Sequence, residues 1–91
     1  MEYSKTLSLV LDIAKRFSSR GAGWSQQSTV LAEVATQVPD AQRNLRAQQL
    51  ILTCWHDLFR LGQLSWGYNI DNPDAPFFHV PESDVERDRR R

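Results

Sequence analysis

Leu58-Phe59-Arg60-Leu61-Gly62-Gln63-Leu64, continuing into Ser65-Trp66-Gly67-Tyr68-Asn69-Ile70, is the stretch whose reading decides the fold. Its first part prolongs an apolar helix, and Gly62 supplies a residue that can leave a helix through backbone angles costly for any side chain with a Cβ. From Leu64 to Ile70, apolar residues alternate with polar ones or glycine, the period of a half-buried strand. Asn72-Pro73-Asp74 suits a turn, because proline presets the φ of its first central position, and Pro76 closes the loop. Phe77-Phe78-His79-Val80 then reads as a returning strand, with Phe78 and Val80 on one face and Phe77 and His79 on the other, ended by Pro81.

Upstream of this stretch the chain is helical. Asp40 is placed to cap a long third helix that runs to about Leu61 and has two unlike halves. Gln42-Arg43-Asn44-Leu45-Arg46-Ala47-Gln48-Gln49 is polar, whereas Leu50, Ile51, Leu52, Cys54, Trp55, Leu58, Phe59 and Leu61 surround most of the circumference, which calls for protein on nearly every side. One polar strip persists along the whole length: Gln42, Arg46, Gln49, Thr53, His56 and Arg60, spaced four, three, four, three and four, project from one face. A shorter second helix carries Val30, Leu31, Val34, Ala35 and Val38, with Ser25 or Ser28 as its cap and Pro39 as its stop. The first helix, Tyr3 to Ser19, buries Tyr3, Leu7, Val10, Ala14 and Phe17 and ends at Arg20-Gly21. In the glycine-rich connection that follows, Trp24 is expected to anchor the loop on the core.

Ninety-one residues support one domain with a modest core, assigned to residues 1–81, followed by a charged tail at 82–91 with a single apolar residue. Apolar residues at 41% and charged residues at 24% match ordinary globular composition and argue against wholesale disorder or a membrane protein. The run Leu7-Ser8-Leu9-Val10-Leu11 is broken by Asp12, too early for a spanning segment or a signal-peptide core. Cys54 is the only cysteine and sits among helical apolar residues, so a reduced, buried thiol and a cytoplasmic location are expected.

A helix pair followed by a helix that leaves through Leu58–Leu64 into a hairpin resembles the winged helix-turn-helix superfamily. Leu31-Ala32 resembles the common Leu-Ala pair of its second helix, and Pro76-Phe77-Phe78-His79-Val80 resembles a recurrent ending of its wing. The resemblance covers residues 7–81 and implies a mainly α fold with a C-terminal β-hairpin. It also implies that the third helix lies in the major groove of double-stranded DNA, in a regulatory or accessory role. The residue types suit groove recognition, since Arg can address guanine O6 and N7 together, and Gln or Asn can address adenine N6 and N7. Gln42, Arg43, Asn44, Arg46, Gln49 and Thr53 are the expected contacts.

A second reading is a protein-interaction module or small subunit of a larger complex. The wing holds Asp71 and Asp74 and no Lys or Arg, so it repels phosphate. Trp66, Tyr68, Phe77 and Phe78, together with the first helix, are the interface expected on that reading, and a homodimer or a larger assembly is compatible with both. Formal net charge of zero predicts only a shallow salt dependence of any DNA binding. An enzyme is not expected. Cys54, His56 and Asp57 diverge around a helix, His56, His79 and Cys54 lack zinc-ligand spacing, and no glycine-rich phosphate loop or cofactor motif is present.

Overall fold

The computed structural model describes residues 2–82. Three helices, α1 (Tyr3–Ser18), α2 (Gln27–Gln37) and α3 (Leu45–Arg60), precede a short antiparallel hairpin of β1 (Ser65–Trp66) and β2 (Phe78–His79). The chain is therefore mainly helical with a C-terminal β-hairpin, an α+β arrangement. The expected tail, apart from Glu82, lies outside the described residues.

The core follows from the helical periodicities. Val10, Ile13, Ala14 and Phe17 of α1, Val30 and Val34 of α2, and Ile51, Cys54, Trp55 and Leu58 of α3 are buried together, and Leu64 and Phe78 seal the hairpin end. Each large apolar side chain removed from water in this way contributes about 1.5–3 kcal/mol before the cost of ordering. Aromatic rings make the densest part. Trp55 meets Phe78 edge-on at 5.3 Å and Phe59 at 5.0 Å, while Trp66 stacks on Phe59 at 4.1 Å. The buried indole keeps a polar partner, donating from Nε1 to Gln27 Oε1 at 2.9 Å, which ties α3 to the start of α2.

Backbone hydrogen bonds fix the hairpin against the helices. Ser65 pairs with His79 and Trp66 with Phe78, and the other side of the second arm joins the segment before α2 through a bridge between Gln26 and Phe77. The Phe78 amide donates to Ser25 O at 3.0 Å, and the Gln27 amide to Pro76 O at 3.0 Å. That use of Ser25 replaces the expected cap: its hydroxyl donates back to Gly21 O, and α2 begins after Gln26 with no side-chain cap. Trp24 does anchor its loop, edge-on to Phe17 at 5.2 Å, and the Arg20 guanidinium lies over both rings.

The first strand is shorter than its alternation predicts. Gly67 turns at φ +97°, and a Cβ there would sit 2.7 Å from Pro73 O, so the chain folds over itself immediately after Trp66. Asn69 Oδ1 then accepts from the Asn72 amide at 2.7 Å, and the Tyr68 amide donates to Asn72 O, giving a compact loop in place of strand residues 68–70. Ile70, expected to face inward, is 94% exposed. Alternation alone could not register that loop, because local amide and backbone bonds outcompete an extended ladder.

The long third helix is also divided. Asp40 adopts a left-handed φ of 59° and caps nothing through its side chain. A single 3-10 turn, Ala41–Arg43, tucks Ala41 into the core, and Gln48 Nε2 donates to Ala41 O at 2.8 Å to hold it. The cap of α3 is Asn44, whose Oδ1 accepts from the Ala47 amide at 3.2 Å. Asparagine with extended backbone angles is among the best residues for that position.

Candidate nucleic-acid interface

The outward edge of α3 presents Arg46, Gln49, Thr53, His56 and Arg60 at spacings of three, four, three and four, all of them exposed. Gln42 and Arg43 are exposed as well, but they stand on the preceding 3-10 turn and not on the helical face. The expected continuous strip therefore starts at Arg46. The side chains of Gln42, Arg43, Arg46, Gln49 and Thr53 make no hydrogen bond or ion pair among the described residues, so their donors and acceptors are unengaged. Asn44 differs. Its side-chain oxygen is committed to the cap, which removes the acceptor half of the paired contact expected with adenine.

Between Asp40 at its start and the Asp57–Arg60 pair at its end, charge along this edge has one sign. From Ala41 through His56 the only formally charged residues are Arg43 and Arg46, whereas from Leu61 through Pro81 they are Asp71 and Asp74. The start of α3 thus combines two cations with the positive end of the helix dipole. The hairpin carries the opposite sign.

Arg60, at the far end of the edge, is not free. Its Nη2 donates to Asp57 Oδ1 at 2.8 Å, and the Tyr3 hydroxyl donates to Asp57 Oδ2 at 2.6 Å. Tyr3 and then Arg60 hold the Asp57 carboxyl below its usual range. In return the same carboxylate raises the Tyr3 hydroxyl and the Arg60 guanidinium above theirs. This link between α1 and the end of α3 has no signal in the sequence, where Tyr3 reads only as an apolar stripe position. Beneath it, burial raises the Cys54 thiol, which lies 3.8 Å from Tyr3 O. Cys54 and His56 point to opposite sides of the helix, one buried and one exposed. Among the described residues no group of three or more His, Cys, Asp and Glu side chains is placed to hold a metal ion.

Two further expectations need correction. Phe78, counted with the alternative protein interface, is fully buried against Trp55, because the β2 register turns it inward. Trp66 is 38% exposed with one ring face covered by Phe59, and Tyr68 and Phe77 are half-buried. On α3, the second half is not enclosed all round: Leu52 is 40% exposed, and Leu45, which sits in the polar half, is 65% exposed. No helix among the described residues is long and apolar enough to cross a membrane. Compared with protein families, curated proteins and solved structures, the chain finds no match in any of the three.

Proposed function

We propose that this chain is a winged-helix protein that binds double-stranded DNA through the start of α3, in a regulatory or accessory role. The observation that carries the reading is the set of unengaged polar groups of Gln42, Arg43, Arg46, Gln49 and Thr53, among which Arg43 and Arg46 outnumber the one neighbouring carboxylate, Asp40. Arg46 and Gln49 are the base-reading pair, one turn apart on the same edge. Arg43 and the free amides at the helix start address phosphate, and Thr53 offers a methyl and a hydroxyl to the next step along the groove. Supporting the fold assignment, the hairpin follows α3 directly, and its second arm is bridged to the segment before α2.

The test is a fluorescence-anisotropy titration of the full chain with random and selected duplexes across ionic strength. With two or three phosphates neutralised, the slope of log affinity against log salt is about −2 to −3, shallow for a DNA-binding protein. On a selected site, Arg46→Ala costs about 1–3 kcal/mol and relaxes preference at one base pair, while Arg43→Ala weakens all duplexes alike. Absence of duplex binding at low salt by the folded chain sinks the proposal.

The acidic hairpin favours a second reading, docking to another protein. Asp71 and Asp74 follow Ile70 in the loop that exposes it and lie on the same hairpin as the half-open Trp66 face, with no Lys or Arg from Leu61 through Pro81 to contact phosphate. Loss of a copurifying partner on Trp66→Ala, with DNA affinity unchanged, would assign the hairpin to that role.

A further inference from the structure

Leu45, Gln48, Leu52, Trp55 and Phe59 recur on α3 at three, four, three and four residues, the spacing of a coiled-coil seam. Trp55 is sunk in the core, but Leu45, Leu52 and Phe59, seven residues apart, form a ridge that is only partly covered. Trp66, stacked on Phe59, extends it at the C-terminal end. Alongside runs a shallow groove of about 190 Å³ between α2 and α3, lined by Leu31, Ala35, Gln48, Ile51 and Leu52. None of these residues carries a charge, in a chain that is 24% charged. At the two ends of the ridge the balance of charge is opposite: Arg43 and Arg46 outnumber Asp40 at the Leu45 end, and beyond Phe59 the hairpin adds Asp71 and Asp74 to the Asp57–Arg60 pair.

The geometry points to a second copy of this chain as the occupant of the ridge, packed antiparallel about a two-fold axis at Leu52. In that arrangement Leu52 meets its own counterpart, and each Leu45 faces the other copy's Phe59–Trp66 end. Each basic helix start then lies beside the other copy's acidic hairpin. A two-fold contact must be self-complementary, and a patch with an apolar centre and opposite charges at its ends meets that condition. Parallel pairing would instead set Arg beside Arg and Asp beside Asp. The antiparallel helix dipoles also oppose favourably. Dimerisation through this ridge does not require the DNA role. Where α3 also binds a duplex, pairing covers the Gln49 side of the helix, so the two states compete.

The experiment is sedimentation velocity on the full chain over a wide concentration range, without nucleic acid. A mass that doubles with concentration and then stops is expected; a monomer throughout, or growth past two copies, overturns the proposal. Leu52→Asp weakens the dimer about tenfold or more, with an unchanged circular-dichroism spectrum because the side chain is already part exposed. A dimer indifferent to it lies elsewhere. The charges are tested by exchange. Arg43→Asp with Arg46→Asp in one chain, and Asp71→Arg with Asp74→Arg in another, each dimerise poorly alone, and an equimolar mixture recovers the dimer. Failure of the mixture to recover, with both chains folded, rules out the antiparallel arrangement.

Discussion

The start of α3 and the hairpin that follows it are built on opposite principles. Around Arg46 and Gln49 the polar side-chain groups are unengaged, and the backbone is secured by one cap and one amide bond to Ala41. Around Trp55, Phe59, Trp66 and Phe78, rings pack against rings, and backbone amides bind the hairpin both to itself and to the segment before α2. One region holds the structure together and the other is left available. A net charge of zero conceals this, since the cations of the first region and the carboxylates of the second cancel only in the sum.

The sharpest way to break the contrast is to truncate the ring at its centre. Trp55→Ala removes a fully buried indole together with its bond to Gln27, and large aromatic truncations in a core cost about 3–5 kcal/mol. In a domain this small that is much of the total stability. Ile70→Ala, at the exposed tip of the same hairpin, should stay within about 0.5 kcal/mol. Urea unfolding of the two variants measures the difference. Comparable losses would mean that the hairpin is stabilised at its tip and not through the aromatic cluster.

A smaller effect is expected at Asn44, at the very start of α3. Asn44→Ala forfeits the cap and costs about 1 kcal/mol, whereas Asn44→Asp keeps an acceptor for the Ala47 amide and should retain stability. The aspartate also places a negative charge at the helix start, so duplex affinity should fall in Asn44→Asp although the fold is intact. Thermal melts and anisotropy on the same two proteins separate the structural role from the reading role. If affinity instead follows stability, Asn44 acts on DNA only by holding the helix.

Much of this architecture can be read from residue order, and the exceptions have local causes. The helix stripes and the exit at Gly62 depend on period and on a single residue's conformational freedom, both explicit in the sequence. Capping chemistry places the start of α3 too early because Asp40 and Asn44 are both good caps, and the choice between them rests on Ala41, which packs inward only if a 3-10 turn intervenes. Alternation makes the strand too long because Gly67 approaches Pro73, a contact between residues that a period of two treats as independent. Of the candidate contacts, the outward placement of Arg46, Gln49 and Thr53 follows from spacing alone. The capping duty of Asn44 and the burial of Phe78 do not, since each depends on a partner from elsewhere in the fold or on register.

The least costly perturbation concerns the Tyr3–Asp57–Arg60 link, which joins the far end of the α3 edge to α1. The Asp57 carboxyl is depressed first by the Tyr3 hydroxyl and then by Arg60, so the folded state favours the ionised form more than the unfolded chain does. Its contribution is present above the ordinary aspartate range and is lost as pH falls through the lower, folded value. Exposure to solvent keeps the effect small. At neutral pH, Asp57→Asn should therefore be slightly less stable than the parent chain, and the gap in urea midpoint should close on acidification. At the alkaline end the sign reverses: the Tyr3 hydroxyl is raised, so its contribution is full below the ordinary tyrosine range and is lost as pH rises through the higher, folded value. A gap that stays constant between neutral and acid pH would show that the carboxylate's charge is not what joins the two helices. The neutral geometry of the hydroxyl contact would then be sufficient, and Arg60 would be as free as Arg46 to meet another molecule.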